Sequence, residues 1–412
     1  MSVEIHHGDC REVMATFEPN SIDALVCDPP YGLSFMGRSW DHAVPGPNYW
    51  KAALRVAKPG APLLAFGGTR TYHRLICAIE DAGWEIRDCL MWAHGQGFPK
   101  SHNLEKAGAG ATFAGFGTAL KPAWEPIVLA MKPLDGTFAE NARAHGVAGL
   151  NIDGARIHTD WSERSEAWKR SGHSAKPDAD KVAAPPGNGI VCNPAGRWPA
   201  NVLLTHHEDC ERTGTKRVAG RSSPGERRNG SHPITAAKGA ENARVLRSPV
   251  DEDGLETVEA WNCVDGCPVR MLDERSGMLR KRGNVSPTRR AAATGFQTGT
   301  AGQESVSLGQ GDSGGASRFF YCGKATKRER GEGNDWPTVK PDKLMRYLCR
   351  LVRPPGGGKM LDMFLGSGST GVAAVREGLD FIGIDRDAHA IEIATRRIEA
   401  AQGSLFAGKV AS

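Results

Sequence analysis

The sequence contains no apolar stretch long enough to span a bilayer, and its first residues, MSVEIHHGDC, show no basic segment followed by an apolar run. We therefore expect a soluble, cytoplasmic protein with no membrane partner. A large excess of one charge is also missing, since 52 Lys and Arg against 47 Asp and Glu give a net charge of +5. This balance permits a polyanionic partner but does not identify one.

A dense disulfide framework is absent as well, because the ten cysteines are scattered over 412 residues. Without an export signal, we expect reduced thiols or metal ligands. Three residues separate His206 from Cys210, and three separate Cys263 from Cys267. Two such pairs suit a tetrahedral structural zinc ion, so we hypothesise a zinc site, with His207 as the substitute for His206. Incidental thiols in loops are the alternative.

Two common nucleotide-binding signatures are not found in the glycine-rich segment LDMFLGSGSTGVAAV, which is neither GxGxxG nor a P-loop. The segment instead predicts a strand, a turn with Gly366 and Gly368, and a helix. The next predicted strand ends at Asp385, where an acid can accept hydrogen bonds from ribose hydroxyls. The combined order indicates an adenosine-containing ligand, although the turn alone also fits an ordinary loop.

Short apolar runs, each followed by a turn and a helix-compatible stretch, predict an α/β fold with a parallel sheet. From about Leu134 to Asp335 periodicity is lost and Gly, Pro, Ser and Arg are frequent, so we interpret this part as an inserted region. The predicted strands are Val3–His7, Ile22–Cys27, Pro62–Phe66, Trp84–Trp92, Pro126–Met131, Lys359–Phe364 and Phe381–Asp385, and predicted helices include Asp342–Val352 and Ala388–Ala400.

Two basic segments lie within the inserted region, Lys216–Arg247 and Arg280–Arg290. They are candidates for contacting phosphates, and solvated surface loops are the alternative.

Asp28-Pro29-Pro30-Tyr31 follows the predicted strand Ile22–Cys27, at the sheet edge where ligands bind in α/β folds. The two prolines fix the backbone and offer carbonyl acceptors. A base amine could donate one hydrogen to the Asp28 carboxylate and the other to the Pro29 carbonyl, which would direct its lone pair outward. Tyr31 could stack on the base. The alternative is a simple turn that ends the strand.

These motifs together resemble the amino-methyltransferase family of DNA methyltransferases, specifically its circularly permuted β group, in which the cofactor motif comes last. Gly8-Asp9-Cys10, ALRVAKPGAPLLAFGG and Lys340-Pro341 stand in the same order. The resemblance implies an α/β, Rossmann-like methyltransferase fold with a mostly parallel, circularly permuted sheet. It divides the chain into a catalytic lobe (1–133), a large inserted target-recognition region with the hypothesised zinc site (134–335), and an S-adenosylmethionine-binding lobe (336–412).

The resemblance also implies residue roles. Phe364, Gly366 and Gly368 would line the methionine part of S-adenosylmethionine, Asp385 would hold its ribose, and Asp9 with the Cys10 backbone would lie near its adenine. The chain departs from the family pattern at Met363 and Ser369, where Pro and Thr are usual. The implied catalytic residues are Asp28, Pro29, Pro30 and Tyr31, and the implied cofactor-binding residues are Asp9, Cys10, Asp28, Lys340, Asp362, Phe364, Gly366, Ser367, Gly368 and Asp385.

The implied activity is methyl transfer to the exocyclic N6 of adenine in double-stranded DNA, by base flipping and direct attack. The family tends to place Asp or Asn before Pro-Pro-Tyr for adenine and Ser for cytosine, so Asp28 favours adenine. The first alternative is an N4-cytosine DNA methyltransferase, ahead of an RNA methyltransferase or an inactive DNA-binding module. Carbon-5 cytosine chemistry is excluded because none of the cysteines follows a proline. A homodimer is left open. Phrases such as GFPKS and RWPANVLLTHHEDC also resemble phage and prophage members of restriction-modification type.

Overall fold

The structure is a computed structural model of the chain, and no helix among its described residues is long and apolar enough to cross a membrane. The described residues are 1–34, 41–94, 101–157, 198–207, 209–219, 255–277, 279–281, 287–288, 305–306, 312–314, 316–324, 333–336 and 338–410.

Fifteen strands are formed by the described residues, and nine of them belong to one sheet. Their bounds are β1 Val3–His7, β2 Ala24–Cys27, β3 Pro62–Phe66, β4 Glu85–Ala93, β5 Trp124–Met131, β6 Val202–His206, β7 Glu211–Ala219, β8 Leu255–Asn262, β9 Leu279–Lys281, β10 Pro287–Thr288, β11 Ser305–Val306, β12 Asp312–Gly314, β13 Tyr321–Lys324, β14 Lys359–Asp362 and β15 Asp380–Asp385.

Eight α-helices lie between these strands in the described part of the chain. They are α1 Cys10–Ala15, α2 Pro47–Val56, α3 Tyr72–Asp81, α4 Phe138–His145, α5 Pro268–Ser276, α6 Asp342–Val352, α7 Ser369–Arg376 and α8 Ala388–Val410, with short 3₁₀ turns at Ala111–Phe113 and Ala316–Phe319.

The main sheet has the order β1-β15-β14-β2-β3-β5-β4-β6-β13. Every neighbouring pair is parallel except those of β5, which runs antiparallel to both β3 and β4. Strands from the two ends of the chain lie side by side, because β14 pairs with β2. The carboxyl ends of β15, β14 and β2 therefore meet at one edge, which is where α/β sheets bind ligands.

Helices bury both faces of this sheet. Successive residues of a strand point to opposite faces, so Val26 of β2 packs with α6, α7 and α8, whereas Leu25 and Cys27 pack with α1, α2 and α3. The two cores explain why β2 and β3 are apolar along their whole length.

The predicted α/β fold with a mainly parallel sheet is confirmed, and β1, β3 and α6 have the predicted bounds. The reversed direction of β5 was not predicted. Nor were the contributions of the 134–335 region, from which β6 and β13 extend the main sheet and β7 and β8 form an antiparallel hairpin. Most of Lys216–Arg247 and much of Arg280–Arg290 lie outside the described residues. The division into three lobes stays a prediction.

Candidate active site

Three carboxylates lie at the carboxyl ends of three adjacent parallel strands. Asp385 ends β15, Asp362 ends β14, and Asp28 directly follows β2. Because β14 lies between the other two, residues 357 positions apart in sequence share one edge of the sheet. This edge is the natural place for a ligand.

A cleft of about 840 Å³ opens at this edge, a volume within the range of small-molecule and cofactor sites. Of the ten residues expected to bind a cofactor, nine line it, and Gly368 does not. Two further segments also line the cleft, and sequence reasoning missed both: the loop from His42 to Gly46, and Trp336 with Thr338.

Glycine is needed at two positions of the turn, Gly366 and Gly368, for different structural reasons. Gly366 lines the cleft in the left-handed region at φ +50°, and a Cβ there would lie 3.3 Å from the Trp336 ring nitrogen. Gly368, at φ +79°, packs against α8, where a Cβ would lie 2.9 Å from the Cβ of Ala394. Gly368 thus lets the turn approach a helix, rather than lining the ligand site.

Hydrogen bonds from backbone amides and from a side chain orient two acids of the cleft, Asp385 and Asp9. Asp385 accepts from the amides of Gly366 (2.7 Å) and Asp387 (2.9 Å). Asp9 caps α1 by accepting from the Arg11 amide, and its carboxylate also pairs with the Arg11 guanidinium at 2.7 Å. These hydrogen bonds with Arg11 lower the pKa of Asp9. The Asp9 carboxylate at the cleft is therefore already hydrogen-bonded to Arg11.

Asp362 lies deepest, with 1% of its surface exposed. It accepts a hydrogen bond from the Phe364 amide at 3.0 Å. Burial, opposed by hydrogen bonds from Thr370 and Phe364, raises the pKa of Asp362 to about 7. A cation placed in the cleft would favour the ionised form of this acid.

Asp28 belongs to a cluster of four polar side chains with Tyr31, Glu125 and Lys340. The Lys340 Nζ lies 2.9 Å from Asp28 Oδ2, 3.1 Å from Glu125 Oε2 and 3.1 Å from the Tyr31 hydroxyl. The same hydroxyl lies 2.9 Å from Asp28 Oδ1 and 2.7 Å from Glu125 Oε2. One ammonium group therefore links both carboxylates and fixes the orientation of the Asp28 side chain.

Aromatic rings surround the Lys340 ammonium, which lies 4.7 Å from the Phe66 ring centre and 5.8 Å from that of Trp92. Burial lowers the pKa of Lys340, but the charges of Asp28 and Glu125 outweigh it, so the pKa is raised overall. Burial likewise opposes ionisation of Glu125, yet Lys340 holds its pKa below the usual range. For Asp28 burial prevails and the pKa is raised.

Glu125 was not predicted as a site residue, because it lies near the start of a strand and not after its end. It lies near the start of β5, and because β5 is antiparallel its start lies beside the ends of its neighbours, with Glu125 opposite Trp92 of β4. A detectable signal was present: Glu125 is the one acid in the apolar segment KPAWEPIVLAMKP. Lys340, expected at the cofactor, lines the cleft, and its ammonium also contacts Asp28.

The structure also brings together the four expected metal ligands. One ligand atom from each of His206, Cys210, Cys263 and Cys267 lies within 4.8 Å of the others. This cluster lies away from the cleft, since none of the four residues lines it.

Comparison with known proteins gives a family match over most of the chain. The profile of the N6/N4 DNA methylase family matches residues 22–396, which includes Asp28, Glu125, Lys340 and Asp385. Asp9 and Cys10 precede the matched range.

Individual relatives are similar over a shorter stretch. The type II methyltransferase M2.DpnII of Streptococcus pneumoniae is 40% identical over 80 residues, covering 19% of this chain and 30% of that protein. M2.LlaDCHI of Lactococcus lactis subsp. cremoris is 36% identical over 78 residues, covering 19% and 29%. The chain thus spans under a third of the length of these relatives. The crystal structure of M1.HpyAVI aligns over 96% of this chain and 98% of that one at 12% identity, with a TM-score of 0.40.

Proposed function

We propose that this chain, which belongs to the N6/N4 DNA methyltransferase family, transfers a methyl group from S-adenosylmethionine to the exocyclic N6 of adenine in double-stranded DNA. The observation that carries the proposal is that Asp28 of the Asp-Pro-Pro-Tyr motif lines the same cleft as the glycine-rich turn and Asp385. The permuted β-group arrangement belongs to the proposal, supported by the pairing of β14 with β2.

The charge of the cleft supports this choice of cofactor. Five carboxylates line it (Asp9, Asp28, Asp362, Asp385 and Asp387), against the cations of Lys340 and Arg386. A sulfonium cofactor that carries positive charge suits these carboxylates, whereas the pyrophosphate of a dinucleotide would be repelled by them. Gly366, where a Cβ would approach Trp336, leaves room beside the turn for a ligand.

Within this proposal Asp385 holds the ribose hydroxyls, Phe364, Gly366 and Ser367 border the methionine part, and Asp9 with Cys10 lies by the adenine. S-adenosylmethionine supplies, when bound, a methyl group on a positively charged sulfur. Gly368 acts indirectly, because it sets the packing of the turn against α8. The acid Asp362 contributes negative charge beneath the turn.

Asp28 and Pro29 orient the base amine. A carboxylate has about four lone-pair sites, so Asp28 can accept from the amine while Tyr31 and Lys340 hold its two oxygens. The Pro29 carbonyl accepts the second amine hydrogen. The amine becomes acidic only as the new N–C bond forms, and Asp28, whose pKa is raised by burial, lies at the position to take that proton.

The base has to leave the duplex stack to reach Asp28, which costs a few kcal/mol. Pro30 lines the cleft beside Asp28, and Tyr31 offers a ring against which the base can stack, although its hydroxyl is held by the cluster. Phosphate contacts from basic segments of the 134–335 region would repay part of this cost. Their described part includes exposed Lys216 on the β7–β8 hairpin.

Nucleoside analysis tests the proposal directly. The purified chain is incubated with S-adenosylmethionine and duplex DNA of mixed sequence, and the digested DNA is analysed by mass spectrometry for methylated nucleosides. N6-methyladenine is expected. N4-methylcytosine instead would correct the base while keeping the activity class, and methylation of RNA alone would contradict DNA as the substrate.

Asp28→Ala provides the matched test of the site. It should abolish transfer while S-adenosylmethionine still binds, because the amine loses its acceptor and the cofactor side of the cleft stays intact. Asp81→Ala, which changes an exposed acid at the end of α3, serves as the control with full activity. Full activity of Asp28→Ala would refute the assigned pocket.

A further inference from the structure

Four metal-binding side chains meet where four secondary structure elements begin or end. His206 is the last residue of β6, and Cys210 directly precedes β7. Cys263 directly follows β8, and Cys267 is the N-cap residue of α5. The cluster therefore lies at the base of the β7–β8 hairpin, on the strand that joins this region to the main sheet.

Two distances within the cluster match tetrahedral zinc. With Zn–S bonds of about 2.3 Å and Zn–N bonds of about 2.0–2.1 Å, a tetrahedral ion places nitrogen and sulfur ligands about 3.6 Å apart. The Nδ1 atom of His206 lies 3.4 Å from Cys263 Sγ and 3.6 Å from Cys267 Sγ. Three thiolates and one imidazole form one of the usual structural zinc sets.

Each pair of ligands is held by a similar backbone turn. The Cys210 amide donates to the His207 carbonyl at 3.0 Å, and the Cys267 amide donates to the Val264 carbonyl at 3.3 Å. Gly266 precedes Cys267 in the left-handed region at φ +79°, which closes the second turn. Each turn brings a cysteine to the cluster, and the two ligands of each pair are separated by three residues, a spacing found in structural zinc sites.

The choice of His206 over His207 follows from their surroundings. The His206 side chain is buried, with 2% exposed, and its ring stacks on Trp261 at 4.2 Å between ring centres. The His207 ring instead faces Asp209, with Nδ1 3.5 Å from the carboxylate. Packing thus fixes one imidazole at the thiols and directs the other away from them.

We infer that His206, Cys210, Cys263 and Cys267 bind one structural Zn²⁺ ion that fixes the β7–β8 hairpin to the edge of the main sheet. Among the described residues, the hydrophobic cluster at the site has four buried members, of which Cys210 and Cys267 are ligands and Leu204 and Val269 are apolar neighbours. So small a core supplies little stability, and metal binding adds the missing free energy as the thiols release their protons. The inference does not depend on the methyltransferase activity.

Elemental analysis of the full-length protein, purified without chelator, tests the site. About one zinc per chain is expected, together with its loss in His206→Ala and Cys263→Ser. His207→Ala and Cys77→Ser are matched controls that should keep the metal, since His207 faces Asp209 and Cys77 is an exposed thiol on α3. Metal-free wild-type protein, or zinc retained in both ligand variants, would overturn the inference.

A second measurement on the wild-type chain avoids any failure of the variants to fold. Zinc is replaced by Co²⁺, and the absorption spectrum is recorded. The intense visible bands of tetrahedral cobalt, with thiolate-to-cobalt charge transfer in the near ultraviolet, are expected. The weak spectrum of octahedral cobalt would show that the thiols do not bind the metal, and so would contradict the site.

Discussion

Replacing Lys340 by Met should destabilise the protein in a pH-dependent way. The substitution keeps most of the apolar stem and removes the ammonium that lies 2.9 Å from Asp28 and 3.1 Å from Glu125. At an effective dielectric constant of about 20, each contact is worth about 5–6 kcal/mol before desolvation is subtracted. Removing one partner of a buried ion pair costs about 3–5 kcal/mol net, and we expect this loss at pH 8.

Protons can partly replace the missing ammonium. Without Lys340, repulsion between the carboxylates of Asp28 and Glu125 raises the pKa of one of them further. Between pH 6 and 8 the folded state then binds a proton that the unfolded chain, with carboxyl pKa values of about 4, does not bind. A raised carboxyl pKa gives stability that is lost as pH rises through it. The deficit of the variant should therefore be smaller at pH 6, by up to about 2.7 kcal/mol over the two pH units.

Urea unfolding followed by circular dichroism at pH 6 and pH 8 measures this difference. Lys51→Met, which changes an exposed lysine of α2, is the control and should match wild type at both pH values. Glu125→Gln/Lys340→Met should be more stable at pH 8 than Lys340→Met, because one carboxylate then remains without a like-charged neighbour. A deficit in Lys340→Met that is equal at pH 6 and pH 8, or absent, would refute the ionic cluster.

Three further predictions concern the cleft and the turn beside it. Asp385→Ala should weaken S-adenosylmethionine binding at least tenfold in calorimetry, because a ribose acceptor is lost, and unchanged affinity would contradict its role. The raised pKa of about 7 for Asp362 means that binding of a cationic cofactor releases a proton, so affinity should be about tenfold higher at pH 8 than at pH 6. An affinity that is the same at pH 6 and pH 8 would contradict the coupling of cofactor binding to Asp362, and Asp362→Asn should abolish the pH dependence. Gly368→Ala should cost about 1–3 kcal/mol in unfolding, from the clash with Ala394 and the left-handed backbone. Gly356→Ala, at φ +82° in open space, carries the backbone cost alone, and an equal loss in both would dismiss the clash.

The predictable part of the fold was the part with local signals. Apolar runs between turns give β1 and β3 their exact bounds, since both strands are bounded by clear turns. The hairpin of β7 and β8 was not predicted because ERTGTKRVA has few apolar residues, LETVEAWN does not alternate regularly between apolar and polar residues, and the two segments pair across 35 intervening residues. Long-range pairing of strands without a regular apolar pattern has no local signature.

The site shows the same division between local and long-range information. Asp28, Asp362 and Asp385 were predictable because each stands where a parallel strand ends. Whether β5 is parallel or antiparallel to β3 is set by its connections and is not written in its own residues. The lone acid in KPAWEPIVLAMKP marks Glu125 as unusual, but the direction of β5 decides which end of the strand lies beside Lys340 and Tyr31, so the sheet was needed to place Glu125 at the site.

The position of Glu125 changes what Asp28 can do. Burial raises the pKa of Asp28, the charge of Lys340 lowers it, and the neighbouring carboxylate of Glu125 raises it again. Two carboxylates, those of Asp28 and Glu125, share the one ammonium of Lys340, so the buried cluster carries a net negative charge. The pKa of Asp28 is raised, whereas the pKa of Glu125 is lowered. Glu125→Gln removes the second carboxylate and should lower the pKa of Asp28. The acid limb of the pH profile of methyl transfer should then move to lower pH, and an unshifted limb would show that Glu125 does not act on Asp28.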